Sequence, residues 1–164
     1  MGGASRGRSH LDAAEIDAVV ERLKSRIGFT TPATIHRVEA GQISRFARAV
    51  GEMNAVYHDE QYAKTTRFGA LIAPPTFASC FIPDHFPSPV FDMDIPVSTT
   101  LHSHDVVENI RAIRVGDVLT ARAVYSEVYR RDGKKPMLLQ MADLLLDDAA
   151  GERVAVVRVA SVCF

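Results

Sequence analysis

The sequence predicts an α+β fold in which a curved antiparallel sheet wraps around a central apolar helix, with an extra helix on the N-terminal side. Apolar residues recur at helical spacing within residues 11–27 and again after residue 40. An apolar stretch follows the pair Pro74 and Pro75, and residues 98–164 hold four segments rich in Val, Leu and Thr. Helices early in a chain and strands late are typical of the α+β class.

The composition predicts one globular domain over residues 11–164. With 164 residues, 47% of them hydrophobic, the chain is long enough to bury a core of its own. Nineteen basic against 20 acidic residues predict no surface for nucleic acid. No apolar run approaches the roughly 18 residues that a membrane span needs, which favours a cytoplasmic protein. Residues 1–10 lack the apolar centre of a signal peptide and are predicted to form a flexible tail.

The first element is predicted as an amphipathic helix over residues 11–27. Ser9 and Asp12 offer a capping start, and Gly28 offers a stop. The predicted buried face is Ile16, Val19, Val20, Leu23 and Ile27. A short strand over residues 34–38 follows, and then a second helix from about residue 41, which Gly51 ends.

The middle of the chain is predicted to cross the surface before it enters the core. Residues 61–73 show little periodicity. Pro74 and Pro75 are suited to the first turn of a helix, because amides there have no intrahelical partner, and residues 76–81 are predicted to form the buried apolar helix. Cys80 is expected to be a buried structural thiol in it. Four prolines between residues 83 and 96 predict an irregular loop that covers the mouth of a pocket.

The last part of the chain is predicted to form an antiparallel meander of four strands. The predicted strands cover residues 98–113, 118–130, 136–146 and 153–164. Turn signals separate them at residues 115–117, at Asp132 and Gly133, and at Ala150 and Gly151.

One stretch, residues 49–77, carries a resemblance to a known family. The MaoC-like family of (R)-specific hydratases and dehydratases, which are hot-dog folds, has the signature Gly-Asp-x-Asn-Pro-Leu-His-x-Asp followed by Gly-x-Gly-x-Ile-Ala-His-Gly. The Arg-Val-Gly-Asp-Val-Leu turn at residues 114–119 is similar to a strand connection of that family, so the resemblance covers about residues 34–164. The matching positions are Gly51, Asn54, Asp59, Phe68, Gly69 and residues 71–73.

Three departures from the signature fall on the positions that carry the family's chemistry. Glu52 stands where the family has its catalytic Asp, Tyr57 where it has His, and Pro75 where a Gly amide holds the thioester carbonyl. This variant resembles the N-terminal-type domain of non-catalytic subunits of (3R)-hydroxyacyl-carrier-protein dehydratases. The resemblance implies a subunit that binds acyl-CoA or acyl-carrier-protein thioesters, needs no further cofactor, and forms a homodimer or a heterodimer with a catalytic hot-dog chain.

Two other activities stay open on the same residues. The first is a self-sufficient hydro-lyase that uses Glu52 with His58 or Tyr57, although Glu52 could equally be a solvated carboxylate near Arg45 or Arg48. Tyr57 is a poor base because the ordinary pKa of a phenol is about 10, and His58 lies one residue beyond the expected position. The second is a thioesterase, because hot-dog folds host thioester hydrolysis too.

Five residues are predicted to contact the substrate. Asn54 would shape the turn, and Pro75 has no N–H to offer to a carbonyl. Thr76 has both an amide and a hydroxyl at a helix start, where partial positive charge favours a carbonyl oxygen. Phe77 would pack beside the site, and Phe86 on the proline-rich loop would line an acyl tunnel.

A histidine pair in residues 98–113 has a spacing that can hold a metal ion. His102 and His104 lie two residues apart, so they share one face of a predicted strand. A structural or catalytic metal needs three or four ligands, and the sequence offers no obvious third and fourth ones. The sequence therefore predicts no metal.

Overall fold

The computed structural model describes residues 11–97 and 99–164; the tail predicted over residues 1–10 lies outside them. Two 3₁₀ helices cover Ala55–Tyr57 and Phe77–Asp84, and the second is called the central helix below. The α-helices are α1 (Ala13–Lys24), α2 (Ala40–Ala49) and α3 (Glu60–Thr65). The strands are β1 (Thr34–Arg37), β2 (Thr100–Asn109), β3 (Val118–Arg131), β4 (Met137–Asp147) and β5 (Arg153–Cys163).

Helix α1 begins two residues after the predicted start and ends three residues before the predicted end. A capping box closes its start: the Asp12 carboxylate accepts from the Glu15 amide, and the Glu15 carboxylate accepts from the Asp12 amide, both at 2.9 Å. After Lys24 the chain tightens, and the Ile27 amide donates to the carbonyl of Lys24 at 3.1 Å. Ile27 is therefore 50% exposed, and its prediction as a core residue is wrong.

The sheet is antiparallel throughout, with the strand order β1-β3-β4-β5-β2. The meander is confirmed for β3, β4 and β5, but the prediction that β2 continues it is wrong. Strand β1 pairs with β3 on the side away from β4, with Thr34 opposite Ala121. Strand β2 instead crosses to the far side and pairs with β5, with Thr100 opposite Cys163 and Asn109 opposite Ala155.

The central helix packs its apolar side against the curled sheet, which confirms the predicted arrangement. Phe77 and Phe81 are 2% and 7% exposed, and their rings meet edge to face at 5.7 Å. Cys80 lies on the opposite side of this helix and is exposed, so its prediction as a buried thiol is wrong. The reason is the helix itself, which turns Phe77 and Phe81 to the core and Cys80 away from it.

Helix α3 lies in the segment that was predicted to have no regular structure. The Asp59 side chain caps it by accepting from the amides of Gln61, at 2.8 Å, and Tyr62, at 3.0 Å. The helix has six residues and buries only Ala63, so its sequence shows no apolar periodicity. Within residues 11–97 and 99–164, no helix is both long and apolar enough to cross a membrane.

Candidate functional site

The residues that match the family signature form a sequence of turns after α2. Gly51 adopts a φ of 78°, which favours glycine, and the Glu52 amide donates back to the carbonyl of Ala47 at 2.8 Å. The Asn54 side chain then accepts from the amide of Val56 at 3.0 Å, which starts the first 3₁₀ helix. Gly51 and Asn54 therefore match the signature because both shape the backbone of the turn. Together they position Tyr57 at the end of the first 3₁₀ helix.

A second wall is built by the chain that leads into the central helix. The Ala73 amide donates to the carbonyl of Ile113 at 2.8 Å, and the Val115 amide donates to that of Leu71 at 3.0 Å. The Asn109 side-chain amide donates to the Pro75 carbonyl at 2.8 Å. The Pro-Pro turn is thus fixed to the end of β2.

A cavity of about 470 Å³ lies between these two walls; it is called the Tyr57 cavity below. It brings together Asn54, Tyr57 and Pro75, three of the residues that the sequence predicted for the site. Its apolar lining includes Val56, Phe68, Ile72 and Ile113, and its polar lining includes Arg67, Asn109 and Arg111. Such a mixture suits a ligand with a polar head and an apolar chain.

The surroundings of Tyr57 at this cavity favour the protonated form of its phenol. Burial, and then the negative charge of Glu52, raise the pKa of the Tyr57 phenol above its usual value. A raised pKa keeps the phenol protonated near neutral pH, so the hydroxyl can donate a hydrogen bond but is a poor base. Glu52 itself is exposed.

His58 has both ring nitrogens engaged with residues of this chain. Nε2 lies 2.8 Å from the carbonyl oxygen of Glu52, and Nδ1 lies 3.0 Å from the hydroxyl of Ser44. Because a carbonyl only accepts, Nε2 donates to Glu52, and in the neutral ring Nδ1 accepts from Ser44. His58 thus joins α2 to the turn that follows it, while Tyr57 lines the cavity.

Two arginines at the cavity were missed in the sequence. The Arg111 guanidinium donates to the carboxylates of Asp117, at 2.7 Å, and Asp148, at 3.2 Å. Arg67 is exposed, and its guanidinium lies 4.8 Å from the centre of the Phe68 ring. Neither residue belongs to the signature. Only the fold brings Arg111 close to the turn at Pro74 and Pro75, which lies about 40 positions earlier in the chain.

The remaining predicted residues lie apart from the Tyr57 cavity. Thr76 is exposed at the start of the central helix, without a side-chain cap. Phe77 lines a second cavity, between α2 and the central helix. Phe86 lines a third one, of about 320 Å³, where the proline-rich loop covers the beginning of β2. Phe86 and Phe91 meet there at 5.3 Å between ring centres.

The histidine pair on β2 contacts its own strand. His102 Nε2 lies 2.8 Å from a carboxylate oxygen of Asp105, and His104 Nδ1 lies 3.1 Å from the hydroxyl of Ser103. A β-bulge between His102 and His104 interrupts the alternation of side chains along β2, on which the prediction of a shared face depended. In the described part of the chain, no three or more His, Cys, Asp or Glu side chains are grouped to hold a metal ion.

Comparisons with solved structures give the fold a wider context. The hydroxyacyl dehydratase complex HadBC of Mycobacterium tuberculosis is 22% identical, with a TM-score of 0.68 over 84% of this chain and 96% of that one. The R-hydratase PhaJ1 of Pseudomonas aeruginosa is 18% identical, with a TM-score of 0.62 over 82% and 79%. A MaoC-like dehydratase is 25% identical, with a TM-score of 0.73; the match spans 87% of this chain and 43% of that one. The hot-dog fold is confirmed.

Sequence relatives and a family description agree with the fold. A UPF0336 protein of Parafrankia is 30% identical over 69% of this chain and 74% of its own length. Another, from Streptomyces avermitilis, is 29% identical over 80% and 87%. Residues 25–157 match the family described as "FAS1-like, dehydratase domain region". The chain therefore belongs to this dehydratase-domain family of MaoC-like hot-dog proteins.

Proposed function

We propose that this chain is the acyl-thioester-binding subunit of a (3R)-hydroxyacyl-CoA or hydroxyacyl-carrier-protein dehydratase, and that it works beside a catalytic hot-dog chain. Its membership in the dehydratase-domain family supports the reaction class. Two structural neighbours support a two-chain assembly, since they are the HadBC and the ChsH1–ChsH2 complexes of Mycobacterium tuberculosis.

The proposal rests on which residues line the Tyr57 cavity. Adding water to an enoyl thioester needs a base and an acid at one oxygen. Among the described residues that line this cavity there is no histidine and no carboxylate. Pro75 also has no N–H with which to stabilise the developing oxyanion. The cavity therefore keeps space for a thioester while it lacks the groups that would process it.

The residues that line the Tyr57 cavity would each have a role in binding the thioester. The Tyr57 phenol is protonated near neutral pH, and it donates a hydrogen bond to the thioester carbonyl. Outside this lining, the Thr76 amide follows Pro75 directly and offers a further donor at the start of the central helix. Ile72 and Ile113 contact the acyl chain, and Arg67 at the rim attracts the phosphate of the carrier arm.

A self-sufficient hydro-lyase is the second candidate, and one observation favours it. The negative charge of Glu52 helps to raise the pKa of the Tyr57 phenol, although Glu52 does not line the cavity itself. In that reaction Glu52 would activate water and Tyr57 would supply the proton. Glu52 is exposed, however, and a solvated carboxylate outside the cavity lining is poorly placed to activate a water next to a bound thioester.

The decisive experiment measures binding and turnover on the same purified protein. We expect crotonyl-CoA and longer enoyl-CoA thioesters to bind in calorimetry, with hydration slower than about 1 per second. Tyr57→Phe should weaken binding by about threefold to tenfold, because one donor is lost. Tyr62→Phe is the matched control, since that ring is 48% exposed and is no part of the cavity lining.

Four outcomes separate the candidates. Binding without hydration supports the subunit role. Hydration at ordinary enzymatic rates that disappears in Glu52→Ala would instead establish the hydro-lyase. Release of free thiol without hydration would establish the thioesterase, and no binding of any enoyl thioester would remove the substrate-holding role.

A further inference from the structure

A second cavity, of about 420 Å³, lies between α2 and the central helix, and it shares no lining residue with the Tyr57 cavity. It is called the Arg45 cavity below. One wall is aromatic and is formed by Phe46, Phe77 and Phe81. Its charged and titratable lining is formed by His36, Arg45, Asp84 and the thiol of Cys80. Its volume is in the range of small-molecule sites.

The aromatic wall is rigid. The Phe46 and Phe77 rings meet edge to face at 5.4 Å between centres, and Phe77 meets Phe81 in the same way at 5.7 Å. Phe77 and Phe81 are buried in the core on their other side. A flat or aliphatic ligand body could cover this wall without any rearrangement, which keeps the entropic cost of binding low.

The polar end is fixed as well. His36 Nε2 lies 2.7 Å from the Thr34 hydroxyl and 3.3 Å from an Asp84 carboxylate oxygen, and its ring lies 4.7 Å from that of Phe81. The Thr34 hydroxyl continues the network to the buried His85, at 3.1 Å. The negative charge of Asp84 thus lies beside an imidazole of its own chain.

Arg45 supplies an unsatisfied positive charge at this cavity. Its side chain is exposed, and among the described residues it has no ion pair or hydrogen bond. Arg111, Arg153 and Arg158, in contrast, each hold a carboxylate of the chain. A guanidinium beside an aromatic wall can form two parallel hydrogen bonds to a carboxylate whose apolar body lies on the rings.

We propose that the Arg45 cavity is a second ligand site, which binds a carboxylic acid with an apolar body. The carboxylate pairs with Arg45, and an aryl or medium-chain alkyl group packs on Phe46, Phe77 and Phe81. This site is independent of thioester binding at the Tyr57 cavity, because the two share no lining residue.

Matched probes test the charge requirement. Phenylacetate and octanoate are titrated into the full chain by calorimetry, and phenylacetamide and octanamide serve as neutral probes of the same shape. We expect at least one acid to bind about fivefold or more tightly than its amide. Arg45→Gln should remove that difference. Arg48→Gln is the matched control, because Arg48 is exposed on the same helix and does not line the cavity.

Cys80 locates the ligand without a further substitution. It lines the cavity and is exposed, while Cys163, the other cysteine of the chain, is fully buried. A bound acid should therefore slow alkylation of Cys80 by iodoacetamide. The proposal is overturned by the absence of acid binding up to about 10 mM, by equal affinity for acid and amide, by equal effects of Arg45→Gln and Arg48→Gln, or by unchanged Cys80 alkylation at saturation. None of these results depends on whether enoyl thioesters bind.

Discussion

The imidazole of His58 and the hydroxyl of Ser44 are joined by a hydrogen bond of 3.0 Å that links helix α2 to the turn after it. The other ring nitrogen of His58 donates to the Glu52 carbonyl at 2.8 Å. A histidine with both nitrogens occupied by its own chain has a positioning role: it fixes the turn that presents Tyr57 to its cavity.

We expect His58→Ala to lower the free energy of unfolding by about 0.5–1.5 kcal/mol, because the partly buried Ser44 hydroxyl and the exposed Glu52 carbonyl both lose their partner. Urea unfolding measures this. Ser44→Ala should cost less, and a double-mutant cycle should give a coupling of about 0.5–1 kcal/mol between the two side chains. A His58→Ala protein of unchanged stability that has lost hydratase activity would show a catalytic histidine instead.

Restoring the family's groups should raise the hydration rate. We expect Tyr57→His with Pro75→Gly to hydrate crotonyl-CoA at least about tenfold faster than the parent, because an imidazole can exchange a proton near neutral pH and a glycine amide can bind the oxyanion. The single variants and the unfolding curves are the controls. If a stably folded double variant is no faster than the parent, these two positions are not what limits the rate.

Acid should destabilise the protein through His85. This side chain is 1% exposed, and burial lowers the pKa of its imidazole below the ordinary 6.5, with a smaller opposing effect of Asp84. The unfolded chain then binds the proton more readily, so the stabilisation is complete above about pH 6.5 and is lost as the pH falls from there through the lower folded-state pKa.

Urea unfolding at about pH 7.5 and about pH 5.5 tests this effect. The midpoint should be lower at the acidic pH, and His85→Gln should reduce that difference. It should also lower stability at both pH values, because the ring bonds to Thr31 at 2.8 Å. The matched control is His104→Gln, at an exposed position. A pH difference that is the same in all three proteins would contradict the assignment to His85.

The outer edge of β2 predicts assembly with another hot-dog chain. Ten residues form this edge strand, and Val106 is 55% exposed on it. We expect light scattering to give at least twice the chain mass of 18.0 kDa at micromolar concentration, and Val106→Lys to shift the mass towards one chain. Ile35→Lys, on the short edge strand β1, should not. A monomeric parent, or equal effects of both substitutions, would contradict this edge as the interface.

The sequence predicted the local part of the fold well. Strands β3, β4 and β5 begin and end within one or two residues of the predicted bounds, because Asp132-Gly133 and Ala150-Gly151 mark turns between sequential neighbours. The partner of β2 could not be predicted in this way. Its pairing with β5 joins residues about 50 positions apart, and the sequence of β2 suits either neighbour.

In the candidate site, too, local spacing could be predicted and the placement of residues distant in sequence could not. Asn54, Tyr57 and Pro75 meet because the signature spacing encodes the turns that hold them. Phe77 and Phe86 were predicted for the same site, but the central helix turns Phe77 towards α2 and the loop carries Phe86 to the far end of β2. Short 3₁₀ turns leave no period in the sequence that would reveal which way such rings face.

The strand order also sets the order in which the sheet can be completed during synthesis. Among the described strands, β2 pairs only with β5, so it emerges from the ribosome well before the strand that pairs with it. Until β5 follows, β2 is an unpaired extended segment with apolar side chains, open to chaperones or to another nascent chain. A stop codon before residue 153 would therefore expose the two edges that β5 covers, one on β2 and one on β4, and its product should be found in aggregates.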